Sequence, residues 1–141
     1  RGVLMMASET TLGPEQKKQL VLDSWKAFAS YDNETAFRHI HPDVEWHLPG
    51  VPGFPARGIA KLAEMSEYGK QAYQGERTIE IKNVWCDGDA VILEYKSRGL
   101  RTNGNMYVND YISVFELEGD QIVSIRQYFD TLVATRSAEP K

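Results

Sequence analysis

Hydrophobic residues early in the chain recur at steps of three and four: Leu20, Val21, Trp25, Phe28 and Tyr31, with Ser24 in the same stripe. That spacing lines one face of an α-helix and predicts one over residues 14–30. Pro14 and Glu15 are the residue types that favour its start. Asp32 or Asn33 can cap a second helix, from Glu34 to about His41, that buries Phe37 and Ile40. Pro42 pushes His41 out of the α region and ends it. Residues 43–48 then alternate, Val44, Trp46 and Leu48 against Glu45 and His47, which is the period of a strand. Residues 49–58 hold three prolines and three glycines and predict an irregular loop. Helical spacing returns at Ile59, Leu62, Met65, Ser66, Gly69 and Tyr73, a third helix.

Alternation governs the second half. Over residues 78–85 it puts Ile79, Ile81, Asn83 and Trp85 on one face, and Gly88 makes the following turn. Over 90–98, Val91, Leu93 and Tyr95 oppose Glu94, Lys96 and Arg98. Residues 107–130 read as a hairpin turning at 118–120. Its first strand sets Asn109, Tyr111, Ser113 and Phe115 against Val108, Asp110, Ile112 and Val114. Its second puts Ile122, Ser124, Arg126, Tyr128 and Asp130 on one face, and the polar residues after Thr131 are expected to fray. Helices gathered ahead of a meander imply an α+β fold, with about three N-terminal helices packed in a curved, mostly antiparallel sheet. Such a sheet curls into a cone whose open end is a pocket. One strand wall mixes aromatic rings with a few polar tips, the composition of a small-molecule site; an amphipathic strand with a solvated outer face has the same pattern.

Composition narrows the function. A chain of 141 residues is expected to form one domain, over 14–135, with a disordered arm or remnant at 1–13 and a frayed tail at 136–141. A net charge of -4 gives no electrostatic footprint for nucleic acid. Cys86 is the lone cysteine, which excludes an internal disulfide and a cysteine-based zinc site and makes a reducing cytoplasm the default compartment. His39, His41 and His47 lack metal-ligand spacing, so neither metal nor organic cofactor is expected. No apolar run approaches the roughly 18 residues that span a bilayer, and residues 3–7 are too short for a signal-peptide core, so no membrane partner is expected.

Several features together resemble the nuclear transport factor 2-like superfamily, over residues 15–132. They are the long aromatic helix, the short helix followed by residues 43–50, and the third helix led by Gly58. The series Asn109, Tyr111, Phe115, Leu117, Gly119, Ile122, Tyr128, Phe129, Asp130 and Thr131 completes the pattern. The branch resembled is the SnoaL-like polyketide cyclase and ketosteroid isomerase-like group. The resemblance implies an inward acid or base at the end of the last strand, matched by Asp130, and a general base at the pocket rim, at or near His47.

On that reading, Asp130 among Tyr128, Tyr111 and Phe115 has its pKa raised by desolvation and exchanges protons with the substrate. Histidine at 47 moves proton transfer toward neutral pH. Asn109 and Tyr111 are candidate oxyanion donors, worth about 3 kcal/mol each, and Trp25, Trp46, Tyr95 and Tyr128 line the substrate site. Each residue also has a plainer reading. Asp130 would be a strand-end acid satisfied by the amides of Thr131 and Leu132, His47 a histidine with no chemical task, Asn109 a support for the sheet, and the aromatics core.

The expected function is a cofactor-independent isomerase, cyclase or dehydratase acting on a small hydrophobic carbonyl- or hydroxyl-bearing molecule. The alternatives are a non-catalytic binding domain or an epoxide hydrolase of the limonene-epoxide-hydrolase type. The Asp-Arg-Asp relay of that last reaction is missing from residues 90–95, and Arg98 or Arg126 would have to substitute. Val108, Ile112 and Val114 form an outer apolar stripe, from which a homodimer is expected.

Overall fold

A computed structural model of the chain describes residues 11–140. The first helix, α1 (Pro14–Ala29), starts where Gly13 N donates to Gln16 Oε1 at 2.8 Å, and it buries Leu20, Val21, Ser24, Trp25 and Phe28 on one face. The Asp32 carboxylate accepts from Thr35 N and caps α2 (Asn33–Phe37). There follow β1 (Ile40–His47), β2 (Ala56–Arg57), α3 (Ile59–Ala72), β3 (Thr78–Asp87), β4 (Ala90–Leu100), β5 (Met106–Glu118), β6 (Gln121–Phe129) and α4 (Thr131–Ser137). The six strands form one curved sheet in the order β2-β1-β6-β5-β4-β3, antiparallel throughout except for β1 beside β6. This is the expected α+β architecture.

The helices bury their apolar faces on the inner face of the sheet. Val91, Leu93, Phe115, Ile122 and Ile125 are fully buried there. Trp25 stacks on Phe28 at 4.9 Å and meets Phe115 edge-on at 5.1 Å, ring geometries that add to plain burial. Among the described residues no helix is long and apolar enough to cross a membrane.

Five expectations are corrected. The second helix stops at Phe37 rather than near His41, because Ile40 is buried and already pairs with Ile122 across the sheet. The loop over 49–58 is not wholly irregular, since Ala56 and Arg57 pair with Trp46 and Glu45. In β3 the register shifts between Ile81 and Asn83. The bulge turns Val84 and Cys86 inward and leaves Trp85 outside, 47% exposed. In β6 a shift opposite Glu116 and Leu117 does the same, so Ile125, Gln127 and Phe129 face inward and Tyr128 faces out, 46% exposed.

The segment after β6 forms α4 instead of fraying. Asn103 and Asn105 hold its end, each side-chain amide donating to the Ser137 and Glu139 carbonyls at 2.9–3.1 Å. The expected arm over 1–13 falls outside the described residues except for 11–13, where Leu12 packs on the core.

Candidate functional site

The concave face of the sheet, α1, α3 and α4 enclose a cavity of about 300 Å³. Cross-strand register builds its floor. Tyr95, Tyr111 and Phe129 are direct neighbours on β4, β5 and β6, so their rings lie in one stack. Tyr95 and Tyr111 are 5.2 Å apart and 5° from parallel; Tyr111 and Phe129 are 4.9 Å apart. Trp25 and Phe28 from α1, Trp46 and Leu48 from β1, and Met65 from α3 complete the apolar wall.

Three polar groups are set into that wall. In the first, Tyr95 Oη receives hydrogen bonds from Trp25 Nε1 at 2.9 Å and Gln127 Nε2 at 3.2 Å and shares a third with Ser113 Oγ at 2.9 Å. Trp46 Nε1 donates to Gln127 Oε1 at 2.6 Å. This network is internally satisfied and fixes the two indoles. In the second, the Tyr107 and Tyr111 hydroxyls are 2.5 Å apart, and Asn109 Nδ2 donates to Tyr107 Oη at 2.9 Å.

The third group is cationic. Two guanidinium groups approach the Tyr73 ring, Arg77 at 5.3 Å and Arg101 at 5.1 Å from its centroid. Arg101 also donates to the hydroxyls of Tyr73 and Tyr68, each at 3.1 Å. Space for this arrangement comes from Gly99. A Cβ there would stand 2.7 Å from Tyr73 Cδ1 and 3.0 Å from Arg77 Cγ.

Two buried hydroxyls at the cavity, Tyr31 Oη and Ser97 Oγ, have no hydrogen-bond partner among the described residues. Tyr31 has φ of +66°, a left-handed conformation that costs a bulky residue about 1–2 kcal/mol. Its ring fits because α3 carries Gly69, where a Cβ would lie 3.0 Å from Tyr31 Cε1.

Burial pushes the Tyr95, Tyr107, Tyr111 and Tyr31 phenols above their ordinary pKa. They are therefore neutral hydrogen-bond donors at physiological pH, not bases. Among the described lining residues there is no aspartate, glutamate or histidine, and the two ionised groups are both arginines.

Four of the residues read from sequence as site residues, Trp25, Trp46, Tyr95 and Tyr111, line the cavity. The others lie elsewhere. The Asp130 carboxylate is exposed and N-caps α4, accepting from Leu132 N at 3.0 Å and Val133 N at 3.1 Å. It cannot point inward because the chain leaves the sheet at Phe129, which takes the inward position. His47 is on the outer face, its Nε2 3.6 Å from Glu45 Oε1, and Glu45 is also held by Arg57 at 2.6 Å. The alternation that buries Trp46 and Leu48 forces His47 outward.

Asn109 is buried behind the cavity with its amide committed to Tyr107 Oη and the Asp130 carbonyl, so it has no donor left for a ligand. Tyr128 is on the outer face through the β6 bulge. Arg98 is exposed on the outer face and Arg126 pairs with Glu116, so neither supplies the cavity with an epoxide-hydrolase relay. Sequence reasoning placed Tyr31 in the aromatic stripe of α1 and left its role open, and it missed Tyr73, Arg77, Arg101, Tyr107 and Gln127 as site residues. Tyr107 shares the parity of Asn109 and Tyr111 and was within reach of the alternation rule.

The family model described as the SnoaL-like domain matches residues 21–125. Among solved structures, a candidate SnoaL-like polyketide cyclase from Jannaschia sp. CCS1 superposes with a TM-score of 0.76 at 17% identity, covering 90% of this chain and 95% of its own. An LEH-like epoxide hydrolase of M. tuberculosis gives 0.74 at 18% identity, with coverage of 88% and 90%. TerC, co-crystallised with polyporic acid, gives 0.72 at 21% identity, with coverage of 85% and 95%. These likenesses show a shared fold, the one that solved structures described as NTF2-like proteins from Burkholderia also have. No curated protein matches by sequence.

Proposed function

The chain belongs to the SnoaL-like domain family, and from that premise we propose that its cavity binds a small, largely apolar ring compound carrying a carbonyl or hydroxyl oxygen, of polyketide or steroid type. Binding, rather than turnover, is the task its lining fits best. The observation that carries this reading is the aromatic, donor-rich wall without a carboxylate or imidazole among the described lining residues. Proton abstraction next to a carbonyl needs a base within reach of the substrate. The phenols present are held neutral, and Asp130 and His47 lie outside the cavity.

One observation favours a catalytic second reading. The Tyr107 and Tyr111 hydroxyls, 2.5 Å apart, form a polarised donor that suits an enolate formed on a substrate acidic enough to ionise itself. Hydrogen exchange separates the two. β-Tetralone, a bicyclic ketone, is expected to show saturation transfer from the protein in deuterated buffer, with no α-deuteration beyond the buffer rate. Accelerated α-deuteration that is lost in Tyr111→Phe but kept in Asp130→Asn and His47→Ala would install the catalytic reading instead. Loss of accelerated exchange in the Asp130 or His47 variant would return the acid/base roles to those residues.

The outer sheet face supports a second copy of the chain as partner. Trp85, Ile112 and Tyr128 are exposed on it, with Val114 between them and the Lys96–Asp110 and Arg126–Glu116 pairs at its sides. Sedimentation is expected to show a homodimer at micromolar concentration, and Ile112→Glu to shift it to monomer. A wild-type monomer there counts against the pairing.

A further inference from the structure

Arg77 and the two partnerless hydroxyls belong to one part of the wall. Arg77 precedes the β3 residue Thr78, which pairs with Arg98, and its Cγ passes over Gly99. Ser97 is the next inward position along β4, directly opposite Ile79, and is 1% exposed. Tyr31, Tyr107, Tyr111 and Tyr95 all have the Arg77 charge among their electrostatic neighbours. The guanidinium therefore has neutral phenols near it, and the exposed carboxylate of Glu76, its neighbour in the chain, also acts on Tyr31.

No ion pair among the described residues includes Arg77. The Tyr73 ring attracts it but brings no counter-charge. A cation withdrawn from water without an anion is costly, and buried hydroxyls are normally hydrogen-bonded. The protein as a whole is acidic, at -4, so this local excess of positive charge runs against its net field. A planar fork of donors in the same cavity wall as two partnerless hydroxyls can receive the oxygens of one anionic group.

We propose that Arg77, Tyr31 and Ser97 form an anion seat inside the cavity, so that the ligand is a flat aromatic monoanion whose carboxylate or acidic enol oxygen sits on Arg77 while its ring lies along the Tyr95, Tyr111 and Phe129 stack. The inference rests on the small-molecule reading above, adds the charge of the ligand and narrows it to one smaller than a steroid. The cavity of about 300 Å³ is at the low end for small-molecule sites, which suits a ligand of one or two rings.

The test uses 2-naphthoate and its uncharged methyl ester, titrated calorimetrically into the full chain. The wild-type protein is expected to bind the acid at least about tenfold more tightly than the ester, a preference of roughly 1.4 kcal/mol. Arg77→Gln is expected to erase that preference while holding the ester within about twofold, which also shows that the variant is folded. Tyr31→Phe and Ser97→Ala are each expected to weaken the acid by about threefold or more and leave the ester unchanged. Equal binding of acid and ester to the wild type overturns the anion seat and leaves the apolar pocket intact. An unchanged acid affinity in Arg77→Gln overturns it as well. If neither probe binds, the small-molecule reading falls and the anion seat falls with it.

Discussion

Tyr95→Phe is expected to destabilise the protein by roughly 2–5 kcal/mol, although it deletes a single oxygen. That oxygen is the meeting point of Trp25 Nε1, Gln127 Nε2 and Ser113 Oγ, and Tyr95 is 2% exposed. The phenylalanine ring fits the same space, so the loss comes from stranding buried donors, each costing about 1–3 kcal/mol when left without a partner. Equilibrium unfolding in urea reads the change as a lower midpoint at constant slope. The mobility of Trp25, followed by fluorescence anisotropy, is expected to rise in parallel. A loss below about 1 kcal/mol would mean that the Trp25 and Gln127 donors find new partners and that the network is not what fixes the indoles.

Phe115→Ala is expected to cost about 3–5 kcal/mol for a different reason. Phe115 is fully buried, pairs with Val91 and Ile125 on the neighbouring strands, and meets Trp25 edge-on at 5.1 Å. Removing its ring takes away both its transfer from water and the surface against which α1 packs. The strands that flank the vacated space are held by their own ladders and collapse little, which keeps the cost high. A urea titration in which Phe115→Ala unfolds within about 1 kcal/mol of the wild type would show that α1 settles into the gap.

The order of elements was legible because the longest segments kept one period. The 3.6-residue stripe of α1 and the alternation of β4 and β5 survive into the structure unchanged. Parity failed at the two bulges. In β6, Ile122 and Ser124 offer one face and Ile125 and Gln127 another, and the sequence holds no preference until Leu117 pairs with Ile122 across the turn. That single extra residue, together with the exit of the chain at Phe129, moved Tyr128 and Asp130 from the expected pocket to the outside.

The fourth helix was hidden for a related reason. Thr131, Thr135, Arg136 and Ser137 read as a polar tail, whereas its start depends on the carboxylate immediately before it. Arg77 carried no local signal at all. Its position depends on the absence of a side chain at Gly99, distant in sequence, and on the tyrosines that surround it.

The parallel pairing of β1 with β6 joins the beginning of the sheet to its end, and the hydrogen bond from Trp46 to Gln127 spans 81 positions. During synthesis, β1 therefore emerges with only the two-residue β2 as a neighbour and waits for nearly all of the remaining chain to leave the ribosome. Until then Trp46 has no sheet to hold it and the nascent domain has an open, sticky edge. The cavity is consequently incomplete until β6 is in place, and a polypeptide that ends before Gln121 lacks the Gln127 and Phe129 part of its wall.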